Sequence, residues 1–96
     1  MPAKQNATLK HTAEPPVDKP LTDDEFRRGY TAMLARKARR ATGLSQKAFA
    51  ARYGIPAASL RDWEQGRRTP PAAVQSYLRV IARMPEDIAK ALDNVA

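Results

Sequence analysis

The segment from Leu44 to Arg68, which reads LSQKAFAARYGIPAASLRDWEQGRR, constrains the fold more than any other part of the chain. Two short stretches of helical apolar spacing flank Gly54 within it. Their apolar positions are Phe49, Ala50 and Tyr53 before the glycine, and Ile55, Leu60 and Trp63 after it. Because glycine enters the left-handed backbone region without strain, it allows a sharp turn between two helices. The pattern therefore predicts two short helices that cross closely at Ala50 and turn at Gly54.

Start and stop signals place further helices on both sides of this pair. Thr22 and Glu25 have capping-box spacing, and Gly43 is a predicted C-cap. Ser45 is a predicted N-cap, and Pro56 stands where a missing N–H is tolerated at a helix start. We predict an all-α fold of five helices, at 23–42, 46–53, 57–65, 72–83 and from Pro85 onward. A strand pattern occurs only as a short stretch at 7–10.

Helical spacing also predicts which side chains face the core. In the first helix these are Phe26, Tyr30, Met33 or Leu34, Ala38 and Ala41. In the fourth helix they are Val74, Tyr77, Leu78 and Ile81. The fifth helix has the apolar stripe Ile88, Leu92 and Val95, which either completes the core or pairs two copies of the chain.

Charge is distributed unevenly along the 96 residues, which suit a single domain. The net charge is +7, and all of it falls on residues 36–68, because the flanking parts are each balanced. Residues 1–22 contain few large apolar side chains, so we predict a disordered N-terminal arm in front of a domain at 23–96. The chain has no cysteine, no signal peptide and no stretch long enough to span a membrane, which fits a cytoplasmic protein.

Catalysis is not indicated. The single histidine, His11, lies in the predicted arm, and the sequence has neither metal-ligand spacing nor a glycine-rich phosphate loop. We therefore predict no enzyme activity, no cofactor and no metal site. Two short helices around a glycine, with the positive charge concentrated on them, are typical of a helix-turn-helix at 45–65 that binds duplex DNA. The alternative is a solvated basic surface without a ligand.

The segment resembles the lambda-repressor-like, Cro-type (XRE) DNA-binding domains over residues 23–84. The shared features are Leu44-Ser45-Gln46, the small residue Ala50, Gly54-Ile55 and Trp63-Glu64-Gln65-Gly66. Within that family, the run from Trp63 to Pro70, then Tyr77–Ile81, Pro85-Glu86 and Ala91-Leu92 resemble HigA-type antitoxins of type II toxin–antitoxin pairs. The first resemblance implies that Glu64 is a structural acid that pairs with an arginine late in the first helix, at Arg39.

Site residues follow from the expected geometry. If Leu60 and Trp63 face inward, the opposite side of their helix carries the candidates for base contacts. These are Ala57, Ala58, Ser59, Arg61 and Asp62. Arg61 suits guanine and Asp62 suits the amino group of cytosine, although either is also an ordinary surface residue. The candidates for phosphate contacts are Ser45, Gln46, Lys47, Arg67 and Arg68, followed by Arg36, Arg39, Arg40 and Arg52. The structural residues are Arg39, Ala50, Gly54, Leu60, Trp63 and Glu64.

The resemblance also implies partners. A near-palindromic DNA operator implies a homodimer, for which the fifth helix, at 85–96, is a candidate element. The resemblance to HigA-type antitoxins implies that the chain is an antitoxin that neutralises a small RelE/HigB-like ribonuclease toxin and represses its own operon, and the arm at 1–22 is a candidate toxin-binding segment. The alternatives are a stand-alone XRE repressor without a toxin, and an arm that only improves solubility.

Overall fold

The structure, a computed structural model, describes residues 20–95. It contains five helices: α1 (Asp23–Thr42), α2 (Gln46–Tyr53), α3 (Ala57–Glu64), α4 (Ala72–Arg83) and α5 (Pro85–Asn94). They confirm the predicted all-α, five-helix fold, with α3 ending one residue earlier than expected. The described part of the chain contains no strand. Residues 1–19 lie outside the described range. The short strand pattern at 7–10 and all but the last three residues of the predicted disordered arm at 1–22 therefore lie outside it as well.

Side-chain caps explain where α1 and α2 begin. The hydroxyl of Thr22 accepts a hydrogen bond from the Glu25 backbone N–H at 3.0 Å, and the Glu25 carboxylate accepts one from the Thr22 N–H at 2.9 Å. These bonds from Thr22 lower the pKa of Glu25. At α2, the Ser45 hydroxyl accepts from the Ala48 N–H at 3.1 Å. Both caps provide acceptors for N–H groups that the first turn of a helix leaves unpaired.

One apolar core joins all five helices. Its fully buried large side chains are Phe49, Leu60, Leu78 and Ile81. The rings of Phe49 and Tyr53 pack with centroids 4.9 Å apart. Since Leu60 and Trp63 both lie in this core, α3 is held with its opposite side toward solvent.

The predicted inward face of α1 is partly wrong. Phe26, Tyr30, Met33 and Ala41 are exposed. The buried side is formed by Thr31, Ala32, Leu34, Ala35 and Ala38. This side packs against both α3 and α4, and small side chains allow the backbones to approach closely. The prediction followed the helical spacing of the larger apolar side chains, whereas the side that packs against α3 and α4 consists mostly of alanines.

Hydrogen bonds from two tyrosines connect α2 to α4 and α5. The Tyr53 hydroxyl donates to the Pro85 carbonyl at 2.8 Å, and the Tyr77 hydroxyl donates to the Tyr53 carbonyl at 2.7 Å. Burial raises the pKa of both phenols. In the α5 stripe, Ile88 and Leu92 are half-buried against the core. These contacts hold α5 on the same body as the short helices.

Candidate nucleic-acid interface

The turn between α2 and α3 is built around one glycine. Gly54 has φ +71°, in the left-handed region, and the next residue, Ile55, is buried. The Ile55 N–H donates to the Ala50 carbonyl at 2.9 Å, which holds the turn against the end of α2. Ala50 is buried where the two short helices meet, at the position predicted to need a small side chain. This turn sets the direction in which α3 leaves α2.

The outward side of α3 carries all five residues predicted to contact bases. Ala57, Ala58 and Arg61 are exposed, and Ser59 and Asp62 are half-exposed. Pro56 precedes the helix without a side-chain cap. The two alanines have short side chains, so the start of α3 projects little from the backbone. Arg61 is the first residue of the helix with a long cationic side chain. This side can enter a groove closely because its first turn carries no bulky side chain.

The loop after α3 brings Arg67 and Arg68 toward Asp62. The Arg67 backbone N–H donates to the Asp62 carbonyl at 2.9 Å. The Asp62 carboxylate lies 3.8 Å from the Arg67 guanidinium and 3.9 Å from that of Arg68. Both arginines are exposed, so these ion pairs contribute only about 0–1 kcal/mol each. The Asp62 carboxylate therefore lies within 4 Å of two exposed cations beside α3, a contact that the sequence did not indicate.

The N-terminus of α2 presents Ser45, Gln46 and Lys47. Lys47 is exposed, and the Ser45 hydroxyl caps the helix as described. The Gln46 side-chain amide donates to the Glu64 carboxylate at 3.0 Å and is therefore occupied inside the domain. What remains available to an anion here is the positive end of the helix dipole and the Lys47 ammonium.

Glu64 is the centre of a buried polar network that joins α1, α2 and α3. It is only 5% exposed. Its carboxylate accepts from Nε and Nη2 of Arg39 at 2.8 and 3.0 Å, in addition to the bond from Gln46. The Arg36 guanidinium donates to the Glu64 carbonyl. Burial raises the pKa of Glu64, but the hydrogen bonds from Arg39 and Gln46 and the nearby positive charges outweigh burial and lower it.

Three of the four secondary phosphate candidates make contacts within the domain. Arg39 and Arg36 belong to the Glu64 network. Arg52 forms an ion pair with Asp93 of α5 at 2.6 Å. Arg40 is exposed. Some of the cationic side chains in residues 36–68 thus hold helices together, and others face solvent around α3.

A tight helix crossing, a left-handed glycine turn and an outward-facing second helix define a helix-turn-helix protein, a class in which the second helix lies in the DNA major groove. A protein-family model described as a helix-turn-helix domain matches residues 32–91. The match covers more than half of the 96 residues, and the chain belongs to this family. No curated protein and no solved structure gave a significant match.

Two further properties concern the described range alone. Between residues 20 and 95, no group of histidine, cysteine, aspartate and glutamate side chains could hold a metal ion. None of the five helices is both long enough and apolar enough to cross a membrane.

Proposed function

We propose that this chain is a cytoplasmic, sequence-specific repressor that places α3 in the major groove of a near-palindromic DNA operator. The observation that carries the proposal is the outward side of α3, flanked by Lys47 on one element and by Arg67 and Arg68 on another. Electrostatic contacts to phosphates supply affinity, and contacts to base edges supply specificity. A helix fixed by the core and flanked by exposed cations suits this division of roles.

Arg61 is the proposed base reader, because its guanidinium can bind the O6 and N7 atoms of guanine together. Ala57 and Ala58 are suited to contact thymine methyl groups, and Ser59 to reach a base edge or a phosphate. Asp62 either accepts from a cytosine amino group or keeps Arg67 and Arg68 in place, and its two ion pairs favour the second role. With two alanines at the start of α3, DNA shape also contributes to specificity.

Phosphate contacts are assigned to two places. At the N-terminus of α2 they are Ser45, Gln46 and Lys47, where Gln46 contributes its backbone N–H because its amide is bound to Glu64. After α3 they are Arg67 and Arg68. Each neutralised phosphate adds nearly one unit to the slope of log affinity against log salt concentration.

We predict different effects for Arg61→Ala and Arg67→Ala. In binding-site selection from randomised duplexes, Arg61→Ala should relax the preference at one position of each half-site, at a cost of about 1–3 kcal/mol for the preferred base. Arg67→Ala should weaken all sequences alike and reduce the salt slope by about one unit per subunit. Lys90→Ala, an exposed cation on α5, is the control. If Arg61→Ala and Arg67→Ala behave identically, the assignment of base and phosphate contacts fails.

A homodimer is part of the proposal, because a two-fold operator is matched by a two-fold protein. Both subunits then present α3 to successive turns of the same face of DNA. Dimerisation also doubles the number of phosphate contacts, so it steepens the salt dependence of binding.

A second candidate function is that of an antitoxin, as the resemblance of residues 63–70 and 77–81 to HigA-type antitoxins suggests. In this case the chain would also bind and neutralise a RelE/HigB-like ribonuclease, with residues 1–22 as the binding segment. The expected result is that the chain captures the product of an adjacent small toxin-like reading frame, and that deletion of residues 1–22 abolishes capture. Undiminished capture by the truncated chain would contradict the role of the arm. A gene without such a neighbour favours the stand-alone repressor.

A further inference from the structure

An apolar strip covers the outward side of the first half of α1. Phe26, Tyr30 and Met33 are 65, 41 and 55% exposed, and Leu21, just before the helix, is 63% exposed. Phe26, Gly29, Tyr30 and Met33 form what we call the α1 strip, which lines a shallow groove together with Leu21 and Glu25. Contiguous exposed apolar surface on a small domain typically marks an interaction site.

Gly29 distinguishes the α1 strip from an ordinary exposed helix face. Glycine inside a helix costs about 1 kcal/mol relative to alanine. A Cβ atom at Gly29 would meet no atom within 4 Å, and this glycine does not have a positive φ. Neither close packing in the described domain nor backbone conformation therefore explains it. Because Gly29 has no side chain, another helix can approach the α1 backbone between Phe26 and Met33, as happens at the small residues of close helix contacts.

Opposite charges lie at the two ends of the α1 strip. Asp23 is in the first turn of α1 and forms no ion pair among residues 20–95. Toward the other end, a second groove beside Tyr30 is lined by three exposed cations, Lys37 of α1 and Arg79 and Arg83 of α4. None of these three has an acidic partner within the described residues. Both ends adjoin Tyr30, since Asp23 lines a groove with it as well, together with the exposed Arg27.

The spacing makes this surface complementary to itself. At about 1.5 Å rise per residue, Asp23 lies roughly 10 Å before the middle of the strip and Lys37 roughly 11 Å after it. At about 100° per residue, both project within roughly 60° of Phe26, on the side of α1 nearer α4. In an antiparallel pair about a two-fold axis, the acidic end of each α1 therefore meets the basic end of the other, while the apolar residues meet in the middle.

We propose that the α1 strip is the surface through which a second copy of this chain binds, with the two α1 helices antiparallel. This inference rests on the proposed dimer and assigns its interface to α1 in place of the α5 stripe. In that stripe Ile88 and Leu92 are already packed on the core, and only Val95, at 77%, is exposed. A second copy of the chain would supply both an apolar surface that covers the strip and ion-pair partners for the charges at its two ends, neither of which the described domain supplies.

The test is the monomer–dimer equilibrium of the full 96-residue chain, measured by sedimentation equilibrium. Phe26→Glu should raise the dissociation constant about 100-fold, because a roughly tenfold cost counts once for each copy in a symmetric interface. Val95→Glu introduces the same side chain at a similarly exposed apolar site on the other candidate element and should leave the constant nearly unchanged. Circular dichroism should show both variants folded, since neither side chain is buried.

Exchanging the charges at Asp23 and Lys37 provides a second, more specific test of the antiparallel arrangement. Asp23→Lys and Lys37→Glu should each raise the dissociation constant about tenfold, because each places two like-charge pairs in the dimer. The double variant exchanges the partners and should return to within about threefold of the unaltered chain. If the dissociation constant of the double variant is as high as that of the single variant that dimerises more weakly, the antiparallel arrangement is wrong.

The outcomes separate this inference from the functions proposed above. A chain that stays monomeric at the highest soluble concentration overturns both the dimer and its interface. A dimer that is insensitive to Phe26→Glu, or is disrupted by Val95→Glu instead, overturns the α1 interface alone. A dimer that responds as expected but binds no duplex DNA supports the interface and overturns the DNA-binding proposal.

Discussion

Arg39→Met is expected to lower the free energy of unfolding by about 3 kcal/mol, which is a large part of the stability of a small domain. The substitution keeps the aliphatic length of the side chain but removes both hydrogen bonds and the positive charge that face Glu64. Because Glu64 is 5% exposed, its carboxylate would remain buried with only Gln46 as a side-chain partner. The estimate is at the lower end of the range for broken buried pairs, since Arg39 itself is partly exposed.

The effect should depend on pH in a defined direction. In the unaltered protein the pKa of Glu64 is lowered in the folded state, so its contribution to stability is complete at neutral pH and is lost as the pH falls through that value. Arg39 is the largest of the causes that lower the pKa of Glu64, so we expect this pKa to rise in the variant, and protonation of Glu64 at acidic pH should then remove part of the penalty of its unpaired buried charge. The stability difference between the two proteins, measured by urea denaturation, should therefore be largest at neutral pH and smaller at acidic pH.

Two control variants test whether the loss of stability comes from the unpaired Glu64 carboxylate. Arg40→Met removes the neighbouring exposed arginine and should change stability by less than about 0.5 kcal/mol. Adding Glu64→Leu to Arg39→Met removes the unpaired charge and should recover part of the loss. A variant with Arg39→Met that is as stable as the one with Arg40→Met would show that the Glu64 network does not hold α1 against α3.

Ala58→Glu should weaken binding to duplex DNA by at least about 100-fold, because like charges brought together at an interface cost several kcal/mol. Ala58 lies on the outward side of α3, so the added carboxylate would face the phosphates and base edges of the groove. Its exposure means that the fold should be retained, and thermal denaturation checks this. The measurement is fluorescence anisotropy with a labelled duplex from the promoter of the gene.

The matched control is Ala91→Glu, which makes the same change in net charge at an exposed position of α5. It should reduce affinity only a few-fold, through the long-range field of the protein. Equal losses from the two substitutions would mean that net charge, and not the outward side of α3, determines binding. Unchanged affinity in Ala58→Glu would move the DNA contact to another surface.

Local signals in the sequence were sufficient for most of the fold. Thr22, Ser45, Gly43 and Gly54 cap helices where their residue types predict, because capping depends on a few neighbouring backbone groups. The pairing of Arg39 with Glu64 was expected only from the resemblance to a family, and the structure places these two side chains in contact.

Features that depend on packing between helices could not be predicted in the same way. The face of α1 was misassigned at Phe26 and Tyr30, because spacing alone does not reveal that α3 and α4 require a side lined by alanines. Nothing in the sequence indicated that Gln46 donates to Glu64 or that Asp62 approaches two arginines. Each of these contacts depends on the angle at which two helices meet.

The most direct measurement is a titration of the full chain with duplex DNA at low ionic strength, repeated as the salt concentration rises. Binding should weaken steeply and linearly on a log–log plot, with a promoter duplex from the gene preferred over a scrambled one of equal length. The absence of binding to either duplex at low ionic strength would show that α3 and its flanking cations do not form a DNA-binding surface.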